Sequence, residues 1–380
     1  MRILLVTARY RPHRGGLETV VCHLAEEFLR RGHEVQIVTN RYPRSLPACE
    51  QLDGVLVRRF HFILPEAMHL RNSRPDLWLA GLWYRNFTQR NLRALINRFK
   101  PDVINSHYLN ETAELTGLAL GSTPWVISFH GGDVEGEPCL SHERRQRFTR
   151  LAHQANAFTA CSASLARNAV SLEPSLEGKT DLIHNGVDVD RFSSAQPSSF
   201  APPYILAVGQ LVAHKGFDLL IRAFAPLAAK YSSVQLIIAG EGSYRPQLEL
   251  LCDEYGLAGR VILWGRADEA QVACLMAGSL FVAMPSQKEP FGIVALEAMA
   301  ARKSVLASPV GGLPEFLPCP PNRLVPRKLT DWENALDEWI SLALAGDLSV
   351  SENYSAALDF DWPRVAGRYL QVYERVVNRG

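Results

Sequence analysis

The sequence predicts an α/β protein of two domains, each a parallel sheet covered by helices on both faces. Three observations predict it. The chain has 380 residues, more than one hydrophobic core usually serves. Short apolar runs alternate with longer stretches of helical periodicity, as in sheets buried on both faces. One strand–loop–helix–strand construction opens the chain and recurs after Pro203. Apolar content of 47% and charged content of 21% describe an ordinary globular protein and exclude disordered, collagenous and coiled-coil chains.

In the first copy Ile3–Thr7 is a strand and Ala8–Gly16 a glycine-bearing loop. Leu17, Val20, Val21, Leu24, Ala25, Phe28 and Leu29 then fall at helical spacing, with Gly32 as the stop and Val35–Thr39 as the next strand. Val103–Ser106, Trp125–Phe129, Ala157–Ala160 and Leu182–Ile183 read as further strands of the first half. Ser193–Pro203, SSAQPSSFAPP, is uncharged and has the composition of a linker. Beyond it Tyr204–Val208 is a strand and Gly209–Gly216 a loop. Phe217, Leu220, Ile221, Phe224 and Ala228 make a helical stripe that Pro226 should bend or shorten. Val234–Ala239, Val261–Trp264, Leu280–Met284 and Ser304–Ala307 read as the second set of strands. The predicted organisation is two Rossmann-like domains, 1–192 and 204–361, joined by 193–203. An amphipathic stretch within 362–380 packs back on the first domain.

The net charge of +1 gives no electrostatic reason to expect nucleic acid. It conceals an asymmetry: residues 1–100 carry +9, residues 101–190 carry −6. The basic stretch also holds Phe60, Phe62, Trp78, Trp83, Tyr84 and Phe87. Two readings stay open, a solvated face with snorkelling arginines or a face that meets an anionic membrane or acceptor. The seven cysteines are scattered, with no C-x-x-C pair, which predicts a reducing, cytoplasmic setting and neither a disulfide framework nor a zinc cluster. No stretch reaches the length of a spanning helix, and the opening eight residues read as a buried strand rather than a leader. Any membrane contact would be peripheral, on the inner face.

Ligands of open parallel sheets bind beyond the carboxyl ends of the strands, and two such edges facing each other would form an interdomain cleft. The residues there are mostly glycine or polar. Lys288–Ala301, KEPFGIVALEAMAA, is the most informative segment. Pro290 suits a first helical turn, so the N–H groups of Phe291, Gly292 and Ile293 would face an anion such as phosphate. Glu297 lies among Val294, Ala295, Leu296, Ala298 and Met299. It needs donors such as sugar hydroxyls, or it lies on an exposed edge paired with Arg302. Glu289 and Glu297, both placed on this helix, would be about 12 Å apart, the scale of two ends of a nucleotide-sized ligand. Lys215 closes the loop VGQLVAHKG ahead of a helix, where a flexible cation suits a diphosphate. Gly15-Gly16 allows close backbone approach to a ligand, or is simply a turn. His130, at the end of WVISF, would hydrogen-bond a sugar hydroxyl or act as a base. Asp133 would accept from it or from an acceptor hydroxyl.

With these motifs the chain resembles the retaining glycosyltransferases of family 4, over most of its length. The carrying segments are PHRGGLE, SFHGGD, HNGVDVDRF, VGQLVAHKG, IIAGEGSYRPQLE, VILWGR, EPFGIVALEAMA and SPVGGLPE. The resemblance implies a GT-B fold of two facing Rossmann-like domains, the first binding acceptor and the second binding donor. It implies transfer from a nucleoside diphosphate sugar, UDP-linked ahead of GDP-linked, to a hydroxyl of a glycan, a glycolipid or a small molecule. Catalytic roles fall to His130, Lys215 and Glu289: His130 touches the transferred sugar, Lys215 neutralises the diphosphate and Glu289 binds donor hydroxyls. Phe291, Gly292 and Ile293 surround sugar and diphosphate, Glu297 accepts from the ribose, and Gly15 and Gly16 approach phosphate. Arg266 lies by the base.

One departure matters. The family usually places Arg where this chain has Gln210, which brings a donor but no charge; Arg14 is the expected substitute. No cofactor and no metal are expected, and Asp188-Val189-Asp190 is read as part of the domain-joining motif rather than an ion site. Three other activities share parts of this pattern. A dinucleotide oxidoreductase would want G-x-G-x-x-G, which is missing after the first strand. A nucleotide-sugar epimerase or phosphorylase would use the same fold, and a non-catalytic sugar-nucleotide-binding protein would fit the loss of charge at Gln210.

Overall fold

Apolar runs rich in Val, Ile and Leu build the first sheet. Its strands are β1 (Arg2–Thr7), β2 (Glu34–Asn40), β3 (Cys49–Leu52), β4 (Val55–Phe60), β5 (Val103–His107), β6 (Trp125–Phe129), β7 (Ala157–Ala160) and β8 (Thr180–Leu182). The computed structural model describes residues 1–13, 15–62, 75–197, 202–317, 319–348 and 351–379. Among these the order is β3-β4-β2-β1-β5-β6-β7-β8, parallel except for the antiparallel β3–β4 pair. That pair is a hairpin, with Cys49 opposite Arg58 and Leu52 opposite Val55. Asp53 and Gly54 turn it with φ of 49° and 82°, the left-handed conformation that an Asp-Gly turn supplies.

The second sheet holds β9 (Tyr204–Val208), β10 (Gln235–Ala239), β11 (Val261–Gly265), β12 (Val282–Met284), β13 (Val305–Ala307) and β14 (Arg323–Leu324). All run parallel, in the order β11-β10-β9-β12-β13-β14. Strand order therefore reverses direction between β9 and β12, as it does between β1 and β5 in the first sheet, and such switch points open a crevice at the strand ends. The two sheets and their helices match the α/β class expected. Pro226 lies inside a helix that runs unbroken from Phe217 to Lys230. The helix is not shortened, because one missing N–H leaves the stripe Phe217, Leu220, Ile221 and Phe224 fully packed in the core.

Met1–His184 with Trp362–Gly380 form one compact unit, and Asn185–Asp361 form the other. The division thus precedes the Ser193–Pro203 stretch read as a linker. HNGVDVDRF explains the shift: Val187 N–H donates to the Phe360 carbonyl at 2.9 Å, and the helix Val189–Ser194 is packed within the second unit. Asp188 caps that helix through Arg191 N–H at 3.0 Å and pairs with the Arg191 side chain at 3.2 Å.

The C-terminal helix Trp362–Val377 belongs to the first unit. It buries Val365, Ala366, Tyr369, Leu370, Tyr373 and Val376, a stripe at helical spacing. The Tyr373 hydroxyl donates to Asn105 Oδ1 on β5 at 2.6 Å, Arg375 pairs with Asp181, and Trp362 stacks on His23 at 4.9 Å. No helix among the described residues is long and apolar enough to cross a membrane.

Candidate active site

The loops after β9 and β12 meet at the switch point of the second sheet. The first loop ends in a short 3-10 turn, Ala213–Lys215, and Gly216 then takes φ 71° to start the Phe217–Lys230 helix. The second is held to it by the Gln287 N–H, which donates to the His214 carbonyl at 2.7 Å. This pairing brings Lys215 Nζ to 2.6 Å from Glu289 Oε2. Ser286 Oγ donates to the same oxygen at 3.2 Å. Glu289 is buried, with 8% of its surface exposed, so its carboxylate depends on these two donors.

Glu289 does not lie on the helix. Gly292 adopts φ 106° and caps it, so the helix runs from Ile293 to Ala300. A left-handed cap cannot be an interior helical residue, and this is why Pro290 is not in the first turn. Of the two acids only Glu297 is helical, half-buried on its face. Arg302 donates to the Ser193 carbonyl at 3.4 Å and lies over the Tyr354 ring at 4.2 Å. Phe291 is buried and stacked on Phe316, so its ring is core while its backbone stays by the helix N-terminus. Gln210 and Arg266 are both exposed at the strand ends.

Arg327 was not singled out in the sequence. Its Nη2 lies 3.3 Å from where a Cβ on Gly216 would stand, and its Nε is buried without a hydrogen-bond partner among the described residues. A guanidinium with an unpartnered Nε beside the Lys215 loop offers the second cation that Gln210 lacks. Arg14, the expected substitute, lies outside the described residues.

In the first unit His130 follows β6 and His107 ends β5. Their rings stack at 5.3 Å, with His107 Nδ1 3.1 Å from His130 Nε2. Asp133 is fully buried. It accepts from the backbone N–H groups of Leu109 (3.1 Å), His130 (3.1 Å) and Gly131 (2.8 Å), so it ties the two loops together rather than facing an acceptor. Gly15 caps the helix Gly16–Arg30 with extended backbone, and Glu18 Oε2 lies 2.6 Å from where a Cβ on Gly15 would be.

Burial holds both imidazoles neutral, pushing His130 down to about 3 and His107 well below its usual value. One proton then sits between His107 Nδ1 and His130 Nε2. Among the described residues His107 Nε2 is buried with no partner, and an orphaned N–H costs more than an unfilled acceptor. The proton therefore belongs to His107 Nδ1, His130 is the Nδ1–H tautomer, and it can donate but not act as a base.

The unfolded chain protonates His130 near 6.5, the fold only near 3. Stability is thus lost as pH falls below 6.5. Relative to His130→Gln, the wild-type chain should lose about 2 kcal/mol between pH 7 and pH 5 in urea unfolding; parallel curves would show an unburied imidazole. Asp133, pushed up to about 6 by burial, works with the opposite sign and is common to both chains.

Known proteins bear on this arrangement. The sequence model described as Glycosyltransferase Family 4 matches residues 14–191, and that described as Glycosyl transferases group 1 matches residues 189–341. The chain belongs to glycosyltransferase family 4. Its curated relatives include an uncharacterized glycosyltransferase of Methanocaldococcus jannaschii, 29% identical over 98% of each chain. Sucrose-phosphate synthase from Thermosynechococcus elongatus has the same fold, with a TM-score of 0.80, 20% identity and 100% of both chains covered. Anabaena HepE in complex with UDP-glucose superimposes with a TM-score of 0.76 at 18% identity, over 99% of this chain and 100% of that one. The glycosyltransferase thus has the GT-B fold.

Proposed function

We propose that this glycosyltransferase moves a sugar from a nucleoside diphosphate, UDP ahead of GDP, to a hydroxyl acceptor with retention of configuration. The observation that carries the reading is the Lys215–Glu289 pair at the β9/β12 switch point. A diphosphate arriving there competes for Lys215, and Glu289, freed from it, can accept from sugar hydroxyls. The backbone N–H groups of Gly292 and Ile293 add their dipoles at the helix start. As the C1–O bond loosens, Lys215 takes up charge developing on the leaving phosphate. The acceptor is a glycan, a lipid-linked hydroxyl or a small molecule, arriving on the face the diphosphate leaves. Lys215 fills the role a divalent ion has elsewhere, so turnover should survive EDTA. HepE, solved with UDP-glucose, supports the choice of donor, and seven free cysteines suit a reducing cytoplasm.

A thermal-shift screen of UDP-, GDP- and ADP-sugars tests the reading. A donor at a hundred times its dissociation constant adds about 2.7 kcal/mol. Stabilisation by a UDP-sugar, with UDP released only when acceptor is present, is the expected result. Epimerised donor without acceptor, or binding with no turnover under any acceptor, would overturn it in favour of an epimerase or a binding protein.

A further inference from the structure

The helix Pro75–Phe99 has two faces that serve different ends. Toward the core it sets Thr88, Leu92, Leu95 and Ile96, all buried. On the opposite face, one turn apart, stand Leu79, Trp83 and Phe87, exposed by 59%, 60% and 49%. The Trp83 and Phe87 rings stack at 5.2 Å and 8°, forming one flat apolar ridge. Continuing along that face, Arg90 is exposed, while Arg93, exposed beside it, donates to the Leu118 carbonyl at 2.9 Å.

We propose that this face docks on the surface of an anionic lipid bilayer. Trp and Phe at the polar–apolar boundary with arginines beside them is the arrangement of helices lying in a membrane interface. The rings would enter the headgroup boundary while the Arg90 guanidinium meets lipid phosphate. Charge favours this occupant over a second copy of the chain: residues 1–100 carry +9, which attracts an anionic leaflet and repels a like surface. Area favours it as well. Three half-exposed side chains offer roughly 300 Å², well short of the ~800 Å² per partner of a stable protein interface. The contact adds a partner to the enzyme and does not depend on the transfer reading.

Co-sedimentation of the full chain with vesicles, phosphatidylcholine alone or with phosphatidylglycerol at 7:3, tests it without donor. Partition onto the anionic vesicles should be at least tenfold stronger than onto neutral ones. Trp83→Ser/Phe87→Ser should weaken it tenfold or more with the melting temperature unchanged, and Arg90→Gln about fivefold on anionic vesicles only. Equal partition onto both vesicles, or wild-type binding by the Trp83/Phe87 variant, overturns the proposal. So does a wild-type dimer that the same variant converts to monomer without loss of vesicle binding. Turnover on a soluble acceptor would stand in each of these cases.

Discussion

Lys215→Ala is expected to lower sugar transfer by about 10²- to 10³-fold, the cost of removing one preorganised donor from a developing anion. The same substitution should also cost stability. It leaves the buried Glu289 carboxylate with Ser286 as its remaining side-chain donor, and breaking a buried pair costs about 3–5 kcal/mol. The lower end applies here, because Lys215 keeps 19% of its side chain in water.

A double-mutant cycle separates the two effects. Glu289→Gln removes the charge but keeps an oxygen for Ser286 and Lys215. If Lys215 serves only to hold Glu289, then Lys215→Ala/Glu289→Gln should turn over like Glu289→Gln alone. If it also answers the diphosphate, the double variant should fall a further hundredfold in kcat while recovering stability over Lys215→Ala. Equal kcat for the double and the Gln variant would make the lysine a structural partner, and the charge would have to come from elsewhere, with Arg327 next in place.

Local pattern and distant contact divide what the sequence discloses. Strands such as Trp125–Phe129 and Tyr204–Val208 were legible because an unbroken apolar run between glycine or polar ends has few alternatives. Lys215 and Glu289 were legible through their motifs and their places after strands. Their direct pairing was not, since it depends on how two loops 74 residues apart close on each other. Arg327 was invisible for the same reason. Asp133 shows a different limit: composition marks an acid beside a histidine, but only the backbone path reveals that three amides claim both its oxygens. Asp53-Gly54 is itself a hairpin signal, but the strand before it, Cys49–Leu52, is short and mostly polar, so its periodicity is weak.

Gly311→Ala should be the most damaging single methyl group in the second unit. Gly311 takes φ 56°, and a Cβ there would overlap the Glu289 carbonyl oxygen and stand 2.7 Å from the Glu289 carbonyl carbon. Both obstacles are backbone, so no side chain can swing aside. The left-handed conformation costs about 1–2 kcal/mol for a residue with a Cβ, and overpacking adds about 1–3 kcal/mol. The second unit would melt about 5–15 °C lower. Relief requires the Glu289 segment to move, and with it the carboxylate that Lys215 and Ser286 hold. Donor affinity should fall along with stability. Gly346→Ala supplies the control: φ is 81°, with nothing within 4 Å of the added Cβ, so it carries the conformational cost alone. Melting of Gly311→Ala within a degree or two of Gly346→Ala, with donor affinity intact, would mean that the SPVGGLPE loop does not brace Glu289 and that the site is positioned by its side-chain pair alone.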